Sequence, residues 1–297
     1  MSHVSAVHRA RVQGNTDMID FLNQFLASPV MRESLEPALL IAIVTASMSV
    51  MIMAHRLSFL TVGVSHASLA GMGLALTLSL PLLPAAAAFA VFIALLLALI
   101  PERQGISEDA GTGILFAGSM SLGIILVSTA PKAQVDLFGL LFGNILTIAP
   151  EDVRWLWLIG VIILAVQLLA ARSWWSIAFD SVTASASGLP VAGLRFLLYG
   201  MVGLTVILCV KLAGIVLTAG LMILPAACAW FWGRSLFGLW LISIAFSLTG
   251  AIAGLLWSYA YDWPSGASVV LALCALFIAS WMIHGRTVWL KTHVLKQ

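Results

Sequence analysis

Apolar runs follow one another along almost the whole chain, at residues 37–54, 61–80, 85–101, 110–129, 155–171, 196–212, 215–233, 236–258 and 265–284. A bilayer-crossing helix needs about 20 mostly apolar residues, so each run is read as one span. Polar residues and helix breakers gather between them: His55 and Arg56, Pro81 to Pro84, Pro101 to Asp109, 131–154, 176–195, Lys211 to Gly214, Gly233 with Arg234, and Asp262 to Pro264. The pattern predicts an all-α polytopic membrane protein with about nine transmembrane helices.

Two stretches depart from this alternation. Val135 to Ile148 is apolar for only about a dozen residues, too short to cross, and is read either as a re-entrant or outer-surface helix or as an ordinary buried connector. Met18 to Leu26 sets Met18, Ile19, Phe21, Leu22, Phe25 and Leu26 against Asp20, Asn23 and Gln24, an amphipathic pattern suited to the membrane surface. The longest soluble-looking piece between two spans is Ser176 to Arg195, SIAFDSVTASASGLPVAGLR. It predicts a short helix of its own. Asp180 caps it, Ser181 to Ser187 form about two turns, Gly188 takes the left-handed position after its end, and Pro190 bars continuation. So short a helix does not stand alone in water, and must be held by its spans or by a partner's groove. It is a candidate docking knob.

Composition narrows the class. Hydrophobic residues make up 62% of the 297 positions and charged residues 9%, against about a quarter charged in globular chains, and mean hydropathy is +1.09. Little is left for a soluble domain. The expected organisation is an N-terminal tail and amphipathic segment over 1–36, one membrane domain over 37–284, and a tail over 285–297. A net charge of +2 does not suggest nucleic acid. With the C-terminal tail cytoplasmic, Arg56, Arg103, Arg172, Arg195, Arg234, Arg286, Lys291 and Lys296 lie inside and Arg32, Lys132, Arg154 and Lys211 outside, the distribution the positive-inside rule prefers. The N-terminus is then outside and the knob cytoplasmic. Trp155, Trp157, Trp174, Trp175, Trp257, Trp263 and Trp289 fall near span ends and are expected as interfacial anchors. Cys209, Cys228 and Cys274 are scattered through apolar runs and read as packing residues.

None of the acidic or basic residues lies in the middle of a predicted span, whereas carriers driven by protons or sodium usually keep a carboxylate there. The energy should come from elsewhere. Yet the chain has no GxxxxGK[ST] sequence, so it has no P-loop for ATP. A docking knob without an engine implies an engine on another subunit. The chain itself is expected not to be an enzyme: Gly63-Val64-Ser65-His66-Ala67 approaches a nucleophile elbow, but Ala67 replaces the final glycine and no carboxylate is near in sequence. Among the histidines, only His66 sits well inside a span. On a helix it shares a face with Ala70, Gly73 and Thr77, beside a small-residue stripe of Gly63, Ala67, Gly71 and Ala75 that permits close helix approach. It is read either as a ligand for a cation such as zinc, through neutral imidazole, or as a packing residue hydrogen-bonded to a neighbouring helix. Pro225 frees a carbonyl within its span and favours a kink, which can gate a path or merely fit its neighbours. Gly250 and Gly254 suggest a packing seam within the chain.

These residues, taken in order, carry a resemblance. The runs Arg56-Leu57-Ser58-Phe59, Ser65-His66-Ala67 with Gly71, Glu108-Asp109-Ala110 with Gly113 to Phe116, Asp136-Leu137 with Leu141 to Leu146, Phe179-Asp180 with Ala184 and Gly188-Leu189, Val210-Lys211 with Gly214, Leu224-Pro225, and Pro264 to Ala267 resemble the permease subunit of the zinc, manganese and iron ABC importer family. The likeness runs from about residue 21 to 284. It implies the fold of type II importers, a homodimeric core in a bacterial inner membrane, two cytoplasmic ATPase subunits that bind the ATP, and an extracytoplasmic metal-binding protein. It also implies that Asp180, Ala184 and Gly188 belong to the coupling helix. Members typically carry a Gly-Asp-Ala-x-Ser-His run; here Thr61-Val62-Gly63 replaces its first three residues. The resemblance implies that the missing aspartate would join the histidine on the metal in transit, so two His66 copies across a dimer axis would form a less charged site, which disfavours manganese relative to zinc. The expected function is therefore the permease of an ATP-driven divalent-metal importer, with zinc first and then manganese or iron. The alternatives are a permease for a metal chelate or siderophore-like cargo, a stand-alone channel or carrier, and a membrane scaffold or sensor.

Overall fold

A computed structural model describes residues 23–25, 27–99, 107–129, 142–143 and 150–294, and every regular element among them is helical. The helices are α1 (Pro29–Ala54), α2 (Ser58–Leu78), α3 (Leu82–Leu99), α4 (Glu108–Thr129), α5 (Pro150–Phe179), α6 (Ser181–Ala186), α7 (Val191–Trp230), α8 (Leu236–Tyr261) and α9 (Ser265–Val294). Among the described residues eight segments are long and apolar enough to cross a membrane, two of them within α7, and the predicted third span is the shorter apolar helix Pro84–Leu99. Among the described residues each of the nine predicted spans is thus mostly helical. Most of the Val135–Ile148 segment and of the Met18–Leu26 amphipathic pattern lie outside the described residues. Phe25 is buried, its ring edge-on to Tyr259 of α8 at 5.5 Å, so this part of the N-terminal arm packs on the bundle.

Helix ends differ from the apolar limits for local reasons. Pro29, in the first turn, suits a helix start because its missing N–H has no partner there anyway, and α1 therefore begins before its apolar run at residue 37. Helix α5 outlasts its predicted span at 171 and runs to Phe179, since neither Arg172 nor the tryptophans after it stop a helix. One of those tryptophans corrects a sequence expectation. Trp174 is fully buried, a core residue and not an interfacial anchor, whereas Trp155, Trp157, Trp257 and Trp263 are exposed as an aromatic belt requires. The side chain of Trp289 lies outside the described residues.

Helix α1 is the hub. In its apolar window 78% of residues are buried, against 28% in α4 and in α5, so those two helices face outward and α1 is enclosed. Packing and hydrogen bonds must hold such a hub, because lipid tails are as apolar as the helices and supply no hydrophobic drive between them. Ser47 Oγ donates to Gln167 Oε1 of α5 at 3.0 Å, and Gln167 Nε2 donates back to the Ser47 carbonyl. From α8, Ser243 Oγ donates to the Ala46 carbonyl at 2.9 Å. Ser49 Oγ accepts from the Ala226 N–H of α7 at 3.0 Å and donates to the Ile223 carbonyl at 3.4 Å, meeting the backbone on both sides of Pro225.

The departure from helical φ/ψ in α7 lies at Gly214 (φ 74°, ψ 176°), in the Lys211–Gly214 break the sequence predicts, and not at Pro225. Only glycine ordinarily adopts that conformation. Gly266, in the first turn of α9, lies against the break: a Cβ there would stand 2.6 Å from the Ala213 Cα and 2.7 Å from the Phe142 carbonyl oxygen.

The small-residue stripe of α2 serves two neighbours. A Cβ on Gly63 would meet Thr112 Cγ2 of α4 at 2.6 Å, while one on Gly71 would meet the Ala86 Cα of α3 at 2.8 Å. Gly123 of α4 completes the α2–α4 contact, its missing Cβ leaving room for the Ala70 backbone nitrogen at 2.8 Å. Helix α2, which carries His66, is thereby clamped between α3 and α4.

Candidate functional site

The knob has the predicted local chemistry. Asp180 Oδ1 accepts from the N–H groups of Val182 at 2.9 Å and Thr183 at 3.1 Å, and Thr183 Oγ1 donates to Oδ2 at 2.5 Å. At the other end the Gly188 N–H bonds the Ser185 carbonyl at 3.0 Å and the Leu189 N–H bonds the Ala184 carbonyl at 3.2 Å. This is a Schellman closure, with Gly188 at φ 88° in the left-handed position that the motif requires. Phe179 and Val182 are 75% and 77% exposed and make an apolar crown, whereas Ala184 is only 4% exposed. Ala184 is the seat of the knob, not its outer surface.

Hydrogen bonds to Asp180 hold its carboxyl below the ordinary value of 3.8, the Thr183 hydroxyl first, then the N–H groups of Thr183 and Val182. A depressed folded pKa means that the stabilisation is present above the unfolded pKa and disappears as pH falls through the lowered folded one. The cap is therefore intact throughout the neutral range. Hydrogen exchange, corrected for intrinsic rates, should show Val182 and Thr183 amides equally protected from about pH 5 to pH 9, with that protection lost at every pH in Asp180→Ala. Unchanged protection in the variant would remove Asp180 from the cap.

The knob is braced from behind. Trp174 Nε1 donates to the Leu194 carbonyl of α7 at 2.8 Å, tying together the two helices that flank α6. His55, at the end of α1, meets the Trp174 carbonyl through Nε2 at 2.9 Å; a carbonyl only accepts, so Nε2 carries the proton. The two helices that flank α6 are thus tied to each other and to the hub α1. Sequence analysis missed Trp174 and His55 in this role. The available signal was position, because Trp174 lies within one or two helical turns of the knob.

His66 lies half-buried on α2, its ring edge-on to Phe116 of α4 at 4.8 Å. Nδ1 bonds the Val62 carbonyl at 2.9 Å, which places the proton on Nδ1 and leaves Nε2 with its lone pair. The fixed tautomer is the arrangement usual for metal-binding histidines. Val62 sits one turn earlier on the same helix and is also half-buried, but it offers only its backbone oxygen, to the imidazole. Among the described residues no three His, Cys, Asp or Glu side chains gather to hold a metal ion. His66 and the knob are separate features, the first on the clamped helix α2 and the second between α5 and α7.

Residues 27–284 match the ABC 3 transport family. The chain is 31% identical over 258 residues to the manganese transport system membrane protein MntC of Halalkalibacterium halodurans, covering 86% of this chain and 88% of that one. It is 30% identical over 269 residues to the manganese import system permease protein ScaB of Streptococcus parasanguinis, covering 90% and 94%. Among solved structures, PsaBC from Streptococcus pneumoniae in complex with Fab superposes with a TM-score of 0.82 at 28% identity, over 92% of this chain and 99% of the other. The match spans every described helix from α1 to most of α9, and the chain belongs to the ABC 3 transport family.

Proposed function

We propose that this chain is the transmembrane permease of an ATP-driven importer of divalent metal ions in a bacterial cytoplasmic membrane. The observation that carries the reading is the knob: a two-turn helix, capped at both ends, with an apolar crown outside and a brace to three long helices behind it. Such a part receives force from a partner. Separate ATPase subunits bind and hydrolyse ATP, their closure moves α6, and the spans reorient so that a narrow path opens to one side of the membrane and then to the other. An extracytoplasmic metal-binding protein delivers the ion, and a second copy of the chain supplies the second His66. Knob and C-terminus are cytoplasmic and the N-terminus is outside. Pro225, where Ser49 grips both sides of the helix, is a candidate hinge in this movement.

Two observations bear on the metal. An imidazole with an apolar valine in place of a carboxylate favours zinc over manganese, which prefers oxygen ligands. The relatives named above are manganese transporters by name, which makes manganese the second reading. Uptake into liposomes holding the permease and its ATPase, with zinc, manganese and ferrous iron in competition, separates the two. ATP-dependent accumulation of one metal supports the importer reading, and transport that ignores ATP and the ATPase rejects it. Removing a metal's direct ligand should cost at least as much as removing a ligand's hydrogen-bond partner, so His66→Ala is expected to lower uptake about tenfold or more with assembly intact. Unchanged uptake would make His66 a packing residue.

A further inference from the structure

Behind the knob, where α1 and α5 end and α7 begins, the structure holds a cavity of about 350 Å³. Arg56, Arg195, His55 and Tyr199 line it together with Ser181 of α6, and no carboxylate is among the lining residues. Leu57, Ile177 and Val191 add apolar wall. The lining of the cavity therefore combines cationic and apolar residues. The apolar spans of these helices end at Ala54 and Phe179 and begin at Val191, which places it where bilayer meets water.

Arg56 is unusual in two independent ways. Its backbone is left-handed, at φ 60°, in the turn after α1 where the Leu57 N–H bonds back to the Ile52 carbonyl at 2.8 Å. Glycine is the ordinary residue there, and any side chain costs energy. Its guanidinium also makes no hydrogen bond or ion pair with a described residue. A strained arginine with no ion-pair partner among the described residues, facing a cationic cavity, calls for an anion. Guanidinium groups match phosphate oxygens in a planar, bidentate way. The volume lies in the range of about 300–1,000 Å³ typical of small-molecule pockets, roomier than one carboxylate side chain from a docked protein needs.

We propose that this cavity binds a net-anionic phosphate ester the size of a phospholipid headgroup, held by Arg56 and Arg195. Bound there, the phosphate links the end of α1 to the start of α7 directly behind α6, so occupancy stiffens the seat of the knob. The inference rests on the cavity and its charges, and stands whichever metal is carried.

The test uses the full purified chain in detergent. Binding by native mass spectrometry and the thermal midpoint are followed with dioctanoyl phosphatidylglycerol, with dioctanoyl phosphatidylcholine, and with glycerol 3-phosphate. Phosphatidylglycerol is expected to bind and protect, and zwitterionic phosphatidylcholine not to. Arg56→Gly suits the test because glycine relieves the left-handed strain while removing the charge; it should fold at least as well and bind phosphatidylglycerol about tenfold more weakly. Arg195→Gln should act in the same direction. Protection by lipid alone assigns the cavity to a headgroup, and equal protection by glycerol 3-phosphate assigns it to a soluble phosphate ester; either supports the anion site. Indifference to all three, equal binding of the two lipids, or wild-type phosphatidylglycerol binding in the double variant would overturn it. So would variants that weaken only ATPase association, since the arginines would then belong to a protein interface.

Discussion

Gly254→Ala is expected to destabilise the bundle much more than Gly250→Ala, although both glycines lie on one seam between α8 and α9. A Cβ on Gly254 would stand 2.3 Å from the Val269 Cα and 2.5 Å from its nitrogen, and backbone atoms yield only if the helices separate. On Gly250 the nearest atoms are Leu273 Cδ2 at 2.4 Å and Cγ at 2.7 Å, the outer part of a side chain that can rotate away. Overpacking against a fixed wall costs roughly 3 kcal/mol, against about 1 kcal/mol where a side chain gives way. Helices in a bilayer have no hydrophobic surplus to absorb the larger figure. Thermal unfolding of the two variants in one detergent measures the difference, and equal midpoints would mean that the seam is looser than its geometry implies.

The second large effect is functional. Gly188→Glu should leave the spans folded and sever the permease from its engine, lowering coupled uptake about tenfold or more. Nothing lies within 4 Å of a Cβ at Gly188, so the substitution does not clash; it forces a glutamate to hold φ 88°. That conformation costs a non-glycine residue about 1–3 kcal/mol, and a helix of two turns has little stability of its own to spend. The Schellman closure opens, and the apolar crown of Phe179 and Val182 loses its fixed placement. Asparagine tolerates left-handed backbone, so Gly188→Asn should keep most of the coupling. Wild-type ATPase stimulation in the glutamate variant would reject α6 as the docking element.

Features read correctly from the sequence were those written in local chemistry. Asp180, Gly188 and Pro190 spell a capped two-turn helix because capping depends on atoms within a few residues. The break before Gly214 was legible for the same reason. His66 stood out as an ionisable residue inside an apolar run, though its tautomer came from a bond to Val62 that only coordinates reveal. Gln167 and Ser49 passed unnoticed because uncharged polar residues are common in spans, and what distinguishes these two is the partner across a helix boundary. Trp174 was misassigned because a tryptophan near a span end looks the same whether it faces the interface or the core.

By itself, then, the sequence determined the apolar helices, the break at Gly214, the capped knob and one intramembrane imidazole, since bilayer thickness and capping act on short stretches of chain. Tertiary structure alone decided that α1 is the hub, that Gly63 and Gly71 serve different neighbours, that Trp174 braces the knob, and that Arg56 faces a cationic cavity. The reason is physical: in a membrane the lipid-facing and protein-facing sides of a helix are equally apolar. Hydropathy therefore counts the helices but does not tell them which way to turn.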